Sequence, residues 1–420
     1  MHEKALNKIR GQVLNALRNC SVERRWPVYD TYQNNILEAA TEVLKHKKDW
    51  LTVWNVFSIF MNKVSQALAE IPDQLPERPV SLQELLSEEI ISSLSENIVS
   101  YIDSIPRTYL IYFPLPGLDR LGMEVVELAE GLSIRHYDVE ENVPGGVIKN
   151  ALYRHLKSNS LSIGISYLCV QEIGYASGYP EDSVFIQALS KLKQFIHLGF
   201  MLKIFTEKKR PPLALALLGS DQQSPTLYAI AFDQNEGDVA CCSTLIPRNV
   251  AIYIDKVGYN KESQDYKQIK EQSTDRDYEF IHHKFYRPAK LITCSPDNKY
   301  STTIKTAIEW AFDAASNENE TIAFIQTCIG LEAILGDESD RESLTETLAD
   351  RCAYLIGTNL EKRSKIKANF KKLYNLRSKL VHGRSVRLKY EDKDYLDWGR
   401  NILDYVISKE MINLNIDNKK

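Results

Sequence analysis

The chain has 420 residues, of which 44% are hydrophobic and 26% charged, and its net charge is −4. That balance suits a globular protein of two or three domains and excludes a disordered, collagen-like or disulfide-dense chain. No run approaches the ~20 apolar residues of a membrane span. Charged residues at Glu3, Lys4, Lys8, Arg10 and Arg18 interrupt any signal-peptide core, so a soluble, cytoplasmic protein with no membrane partner is expected.

From residue 1 to about 105 the pattern is helical. Leu6, Ile9, Val13, Leu14 and Leu17 recur at helical spacing, as do Ile36, Ala39, Ala40, Val43 and Leu44, and then Trp50, Val53, Phe57, Phe60, Met61, Val64 and Leu68. Ser81 followed by Glu84 has the form of a capping box. The Trp and Tyr residues of these helices read as core rather than as a base-stacking platform.

Residues 106–298 change character. Tyr109–Phe113, Leu161–Val170, Leu213–Leu218, Leu227–Phe232 and Val250–Ile254 read as strands, and a helix is expected over Asp182–Thr206. The polar stretch 257–279 reads as a long exposed loop or small insertion. Seven cysteines, none in a C-x-x-C pair, predict reduced and mostly buried thiols.

After Ser301 helices are expected near 302–316, 319–336, 342–357, 362–382 and 392–410. Gly336, Gly357 and Gly383 stand where left-handed C-caps belong. The predicted fold is therefore α+β and multidomain: an N-terminal helical region (1–105), a mixed α/β module (106–298) and a C-terminal all-α bundle (299–420).

The segment Lys371–Gly383 carries the chemistry. On an ideal helix Phe370, Leu373, Tyr374, Leu376, Leu380 and Val381 make one apolar stripe, and Arg377 falls inside it. A guanidinium there is costly unless paired or facing an anion. One reading is a buried salt bridge, with Glu332 as partner; the other is an anion site. His382 lies roughly 140° round and ~7.5 Å along the axis from Arg377, and either serves the helix dipole or acts chemically. Between Leu360 and Tyr390 stand eleven Lys and Arg residues against the single acid Glu361, in a chain that is acidic overall. Such a run is either a solvated face or the footprint of a polyanion.

Arg377-Ser-Lys-Leu-Val-His382 resembles the R-x4–6-H signature of HEPN domains. Leu331–Leu335, Leu348–Gly357 and Leu373–Gly383 further resemble successive helices of the Apea-like HEPN subgroup. The resemblance spans about residues 300–410. It implies a metal-independent endoribonuclease without cofactor, acting as a homodimer or higher even oligomer whose two R-x4-H helices build one cleft.

Arg377 and His382 would be catalytic. Glu332, Asn375 and Ser378 would support or orient them, and Lys371, Lys372, Lys379, Arg384 and Arg387 would follow the RNA, with transfer RNA as the expected target. An N-terminal module ahead of such a domain is the layout expected of anti-phage abortive-infection effectors, with a phage-derived or small-molecule trigger. The rival expectation is an inactive HEPN module that binds RNA, a nucleotide or a protein.

Weaker signals are set aside. Gly219-Ser220 with Asp233 only faintly resembles a nucleotidyltransferase start, because Asn235 stands where a second carboxylate belongs. His282-His283 reads as an exposed loop or strand edge rather than a metal site. No P-loop, Rossmann or G-x-S-x-G pattern occurs.

Overall fold

The structure, a computed structural model, describes residues 1–23, 26–69, 71, 78–118, 124–137, 164–208, 226–236, 239–263, 267, 276–295, 298–337, 344–383 and 387–414. Contacts divide the chain into two units. The first comprises 1–110, 172–186 and 231–244; the second comprises 111–171, 187–230 and 245–420. The expected boundaries at 105 and 298 do not coincide with this division.

The N-terminal helices are α1 (Glu3–Asn19), α2 (Tyr29–Lys47), α3 (Val53–Ala69), a single turn α4 (Leu82–Leu85) and α5 (Glu88–Asp103). Helix α1 buries Ala5, Ile9, Val13, Ala16 and Leu17, a stripe three or four residues apart, against α2 and α5. Tyr32, Phe57 and Phe60 complete that core. Trp54, expected inside, is 69% exposed.

The capping box at Ser81 does not form. Ser81 precedes α4 without a side-chain bond, and it is Ser87 Oγ that accepts from Ile90 N–H and opens α5. Short strands β1 (Ser21–Glu23), β2 (Trp26–Pro27) and β3 (Val80–Ser81) make an unforeseen sheet in the order β2-β1-β3. Two or three residues per strand leave too little alternation to be read in advance.

A second sheet has the order β10-β9-β4-β7-β6-β5. Its strands are β4 (Arg107–Leu115), β5 (Val125–Ala129), β6 (Leu132–His136), β7 (Ser166–Gly174), β9 (Tyr228–Asp233) and β10 (Val239–Leu245). Strands β5, β6 and β7 are antiparallel, with Leu132 opposite Val170 and His136 opposite Ser166. In β4 almost every residue is buried, so the strand reads as a continuous apolar run rather than an alternation. A two-stranded ribbon pairs β8 (Phe205–Glu207) with β11 (Val257–Tyr259), placing a strand at the start of the stretch expected to be loop.

The helix expected over 182–206 is α6 (Ser183–Met201). The strand expected at Val250–Ile254 is instead the helix α7 (Arg248–Asp255), which follows Pro247 and buries Val250, Ala251 and Ile254. A short apolar run cannot by itself tell helix from strand, and the burial at i, i+1 and i+4 is helical. The expected strand at Leu213–Leu218 lies outside the described residues. Helix α8 (Arg276–Thr293) carries His282 and His283, which sequence reasoning had put on a loop or strand edge.

The second unit ends in α9 (Lys299–Ser316), α10 (Glu320–Leu335), α11 (Leu344–Ile356), α12 (Leu360–Val381) and α13 (Lys393–Asn413). These match the five expected helices within a few residues. Helix α10 is apolar round its circumference and packs against α9, α11, α12 and α13, so it is the centre of the bundle.

Of the three expected left-handed caps only Gly383 has one, at φ 69°. Gly336 and Gly357 answer a different demand. A Cβ at either would stand 2.5 Å from the carbonyl oxygen of Glu332 or Ala353, so glycine lets each helix end fold back on itself.

The bundle does not stand apart from the preceding region. Ser190, Lys193, Gln194 and His197 of α6 bond to Glu309 and Asp313 of α9 and to Asp404 of α13. That polar seam ties residues on either side of the expected boundary at 298 into one unit.

Candidate functional site at the end of helix α12

Asn359 opens α12 by accepting from Lys362 N–H, and the helix then runs six turns to Val381. Phe370, Leu373, Tyr374, Leu376 and Leu380 are buried as the stripe predicts. Val381, counted in the same stripe, is 47% exposed because the helix ends there and turns out.

Two contacts fix α12 on α10. Tyr374 OH donates to the Cys328 carbonyl at 3.2 Å. Four residues on in α10 and three on in α12, Arg377 Nη2 lies 3.3 Å from Glu332 Oε1 and 3.4 Å from Oε2. The pairing of Arg377 with Glu332 expected from the sequence is present. Both side chains remain about a quarter exposed, at 28% and 25%.

The pair does not exhaust the guanidinium. Arg377 Nε is buried and has no hydrogen-bond partner among the described residues. An unmet donor of this kind costs about 1–3 kcal/mol. Close by, burial pushes the Cys328 thiol and the Tyr374 phenol up, the Glu332 carboxylate adds to that, and Arg377 opposes it. Both groups stay protonated and neutral beside the arginine.

His382 is the C-cap of α12, and its backbone N–H donates to the Ser378 carbonyl at 3.0 Å. Its ring is exposed. The helix end therefore presents a half-buried arginine held by a carboxylate and, five residues on, a solvent-facing imidazole. Asn375 and Ser378 are exposed on the same helix, and no bond among the described residues ties either side chain to Arg377 or His382.

The basic run is less free than its sequence suggests. Lys371 pairs with Glu346 at 2.5 Å and Lys367 pairs with Asp350, both acids belonging to α11. Arg363 donates to the Gly357 carbonyl at 3.0 Å and lies over the Tyr354 ring. Lys372 and Lys379 are exposed and make no ion pair with a described residue. Arg387 is exposed, and Arg384 lies outside the described residues.

Elsewhere, Asp233 is 2% exposed and paired with Arg107 at 3.1 Å, which gives it a structural role. His282 and His283 line an open cleft of about 880 Å³ with Met201, Tyr286, Met411 and Ile412. Among the described residues, six cysteines are free, no group of three His, Cys, Asp or Glu side chains is arranged to hold a metal ion, and no helix is long and apolar enough to cross a membrane.

Sequence reasoning missed one cluster. His197, Tyr253, Arg400 and Asp404 meet at a small cavity inside the second unit. The available signal was the polar stripe Ser190, Lys193, Gln194, His197 on a helix otherwise built from Val184, Ala188, Leu192, Phe195, Ile196 and Leu198.

No family model matches the chain, and neither a curated protein nor a solved structure matches it.

Proposed function

We propose that the end of α12 is the reactive centre of a metal-independent endoribonuclease of the HEPN kind. One observation carries the reading. Arg377 is held by Glu332 at the helix surface with its side chain still partly exposed, and the exposed His382 follows on the same helix end.

RNA supplies its own nucleophile, the 2′-OH. One histidine takes the 2′-OH proton as the 2′-oxygen attacks phosphorus. The bond from phosphorus to the 5′-oxygen breaks, and a second histidine gives that oxygen a proton. The products are a 2′,3′-cyclic phosphate and a 5′-hydroxyl. Arg377 neutralises the charge on the non-bridging oxygens as the phosphorus becomes five-coordinate. A chain with one R-x4-H motif needs a second copy to supply the second histidine, so the active form is a homodimer or a higher even oligomer. Val381, exposed beside His382, suits a contact between copies. Lys372 and Lys379 track the phosphates, with Arg387 on the following loop. The role served is regulated RNA destruction in anti-phage defence, with transfer RNA as the target class.

The test is incubation of the full chain with total cellular RNA in EDTA, followed by mapping of new ends. Discrete cuts that end in 2′,3′-cyclic phosphate support the reading. RNA that is bound but remains whole, including in phage-infected extract, rejects it.

A second reading has its own observation, the Arg377–Glu332 pair. A guanidinium spent on holding α12 to α10 fits a bundle that binds RNA or a protein without cutting it. In that case the same incubation gives bound, intact RNA.

A further inference from the structure

We propose that the solvent face of α12 is a track for one RNA strand, whose phosphates run along the helix from Lys365 to His382. The proposal rests on the RNA-cleaving reading for the chemistry at the end of the track, but its binding step can be measured without cleavage.

The helix sorts its cations by side. Lys367 and Lys371 pair with Asp350 and Glu346 of α11. Arg363 is spent on the Gly357 carbonyl and the Tyr354 ring. The fold meets all three on the side towards α11. Lys365, Lys372 and Lys379 are exposed, and none makes an ion pair with a described residue. They stand seven positions apart. On an α-helix each such step rises about 10.5 Å and drifts only about 20°, so the three make one line along the helix. Glu361 stands in the first turn, where the helix dipole favours a negative charge. No further acid occurs in the sequence before Glu391. A helix face built only for solvent interleaves acids with lysines four residues apart, and this face does not.

The surface between the lysines is low and polar. Ser364, Ala368 and Asn375 are exposed on the same face, with Ser378 at its border. A strand can therefore lie close to the helix, and Asn375 and Ser378 can donate hydrogen bonds to phosphate oxygens. Lys379, in the last turn, offsets the negative end of the helix dipole, which would otherwise repel a phosphate. His382 lies about 60° round from Lys379, and its exposed ring ends the line. There the strand crosses the helix end to the Arg377 side. Val381, the residue suited to a contact between copies, stands about 160° round from Lys379, so that contact leaves the track open.

The spacing sets the substrate. From Lys365 to His382 is about 25 Å of helix. At the ~3.4 Å per phosphate of a strand stacked as in a double helix, that is about seven nucleotides. A single line of cations matches one strand rather than the two of a duplex. All its contacts are to phosphate, so the track selects length and strand number and not base sequence. The substrate class is an RNA with an unpaired arm of at least about seven nucleotides on one side of the cut.

The experiment measures binding of a labelled single-stranded RNA, twice the length of the track, to the full-length His382→Ala chain across a salt series. In that background Lys365→Ala, Lys372→Ala and Lys379→Ala should each weaken binding severalfold and reduce the salt slope by about one. Lys45→Ala removes the same charge from an exposed lysine paired with Glu42 on α2, and it should change the slope far less. An RNA half the length of the track, and a duplex of the longer RNA, should both bind more weakly. The proposal is overturned if Lys365→Ala binds as its parent does while Lys379→Ala is weakened, because RNA then meets only the helix end. Equal or tighter binding of the duplex also overturns it. Cleavage by the wild type is read separately. RNA that is cut while Lys365→Ala binds like its parent removes the track and keeps the reactive centre. RNA that feels all three lysines and is never cut keeps the track and removes the reactive centre.

Discussion

Arg377 on α12 and Arg400 on α13 are two half-buried arginines of one unit, and each has an Nε with no partner among the described residues. They differ in what holds the rest of the guanidinium and in what lies beyond it. Arg377 is paired with a carboxylate at the surface, and an exposed histidine follows it. Arg400 is tied to a helix carbonyl and lines a small, partly open cavity beside a histidine already bonded to an acid. Arg377 stands beside an exposed histidine where a chain-like polyanion can reach it, whereas Arg400 is committed to holding α13 on α9.

Several substitutions break or sharpen that contrast. The largest effect belongs to Arg377→Ala, which should lower RNA cleavage by about 10²–10³-fold as charge stabilisation in the transition state is lost. Single-turnover assays on a mapped RNA would measure it. At Arg400 no substitution should change cleavage by a comparable factor, and an equal loss there would dissolve the distinction.

A fragment beginning at 299 should be far less stable than the full chain, because it strips α6 from Glu309, Asp313 and Asp404. Thermal melting would show this as a broad or absent transition. A melt as sharp and as high as that of the full chain would contradict the unit described here.

Glu332→Gln keeps a neutral acceptor for Arg377 but removes the charge. It should cost about 1–2 kcal/mol, between the values for exposed and buried pairs. Denaturant unfolding measures it. If Glu332 only positions Arg377, cleavage should fall severalfold and substrate affinity should hold.

The smallest effects belong to Lys372→Ala and Lys379→Ala. Each should weaken RNA binding across sequences and reduce the salt slope by about one. Lys371→Ala should do less, because Lys371 is already paired with Glu346.

Much of this architecture was legible in the sequence, and the reasons are local. The helical bundle was readable because α9 to α13 are long and their apolar spacing is regular. The Arg377–Glu332 pair was readable because a cation inside an apolar stripe demands a partner. Helix α7 was misread because five apolar residues fit either period, and the small sheet at β1–β3 was invisible because its strands are too short. The pairing of Lys367 and Lys371 with α11 was hidden, since their acids lie 17 and 25 positions away and only the folded bundle brings them together. The cavity was hidden for the same reason on a larger scale, with His197 and Asp404 separated by 207 positions. What the sequence did hold was the polar stripe of α6, which reads as a solvent face until α9 and α13 cover it.

The most direct measurement is a paired one on His382→Ala, taking the rate of RNA cleavage in EDTA alongside RNA affinity and melting temperature. His382 is exposed and makes its bonds in α12 through its backbone, so the fold and the affinity should be retained. Cleavage should fall by about 10²–10⁴-fold, the range of general acid–base contributions. A variant that melts and binds as the wild type does and still cuts RNA at the wild-type rate would contradict the assignment of the α12 terminus as the reactive centre.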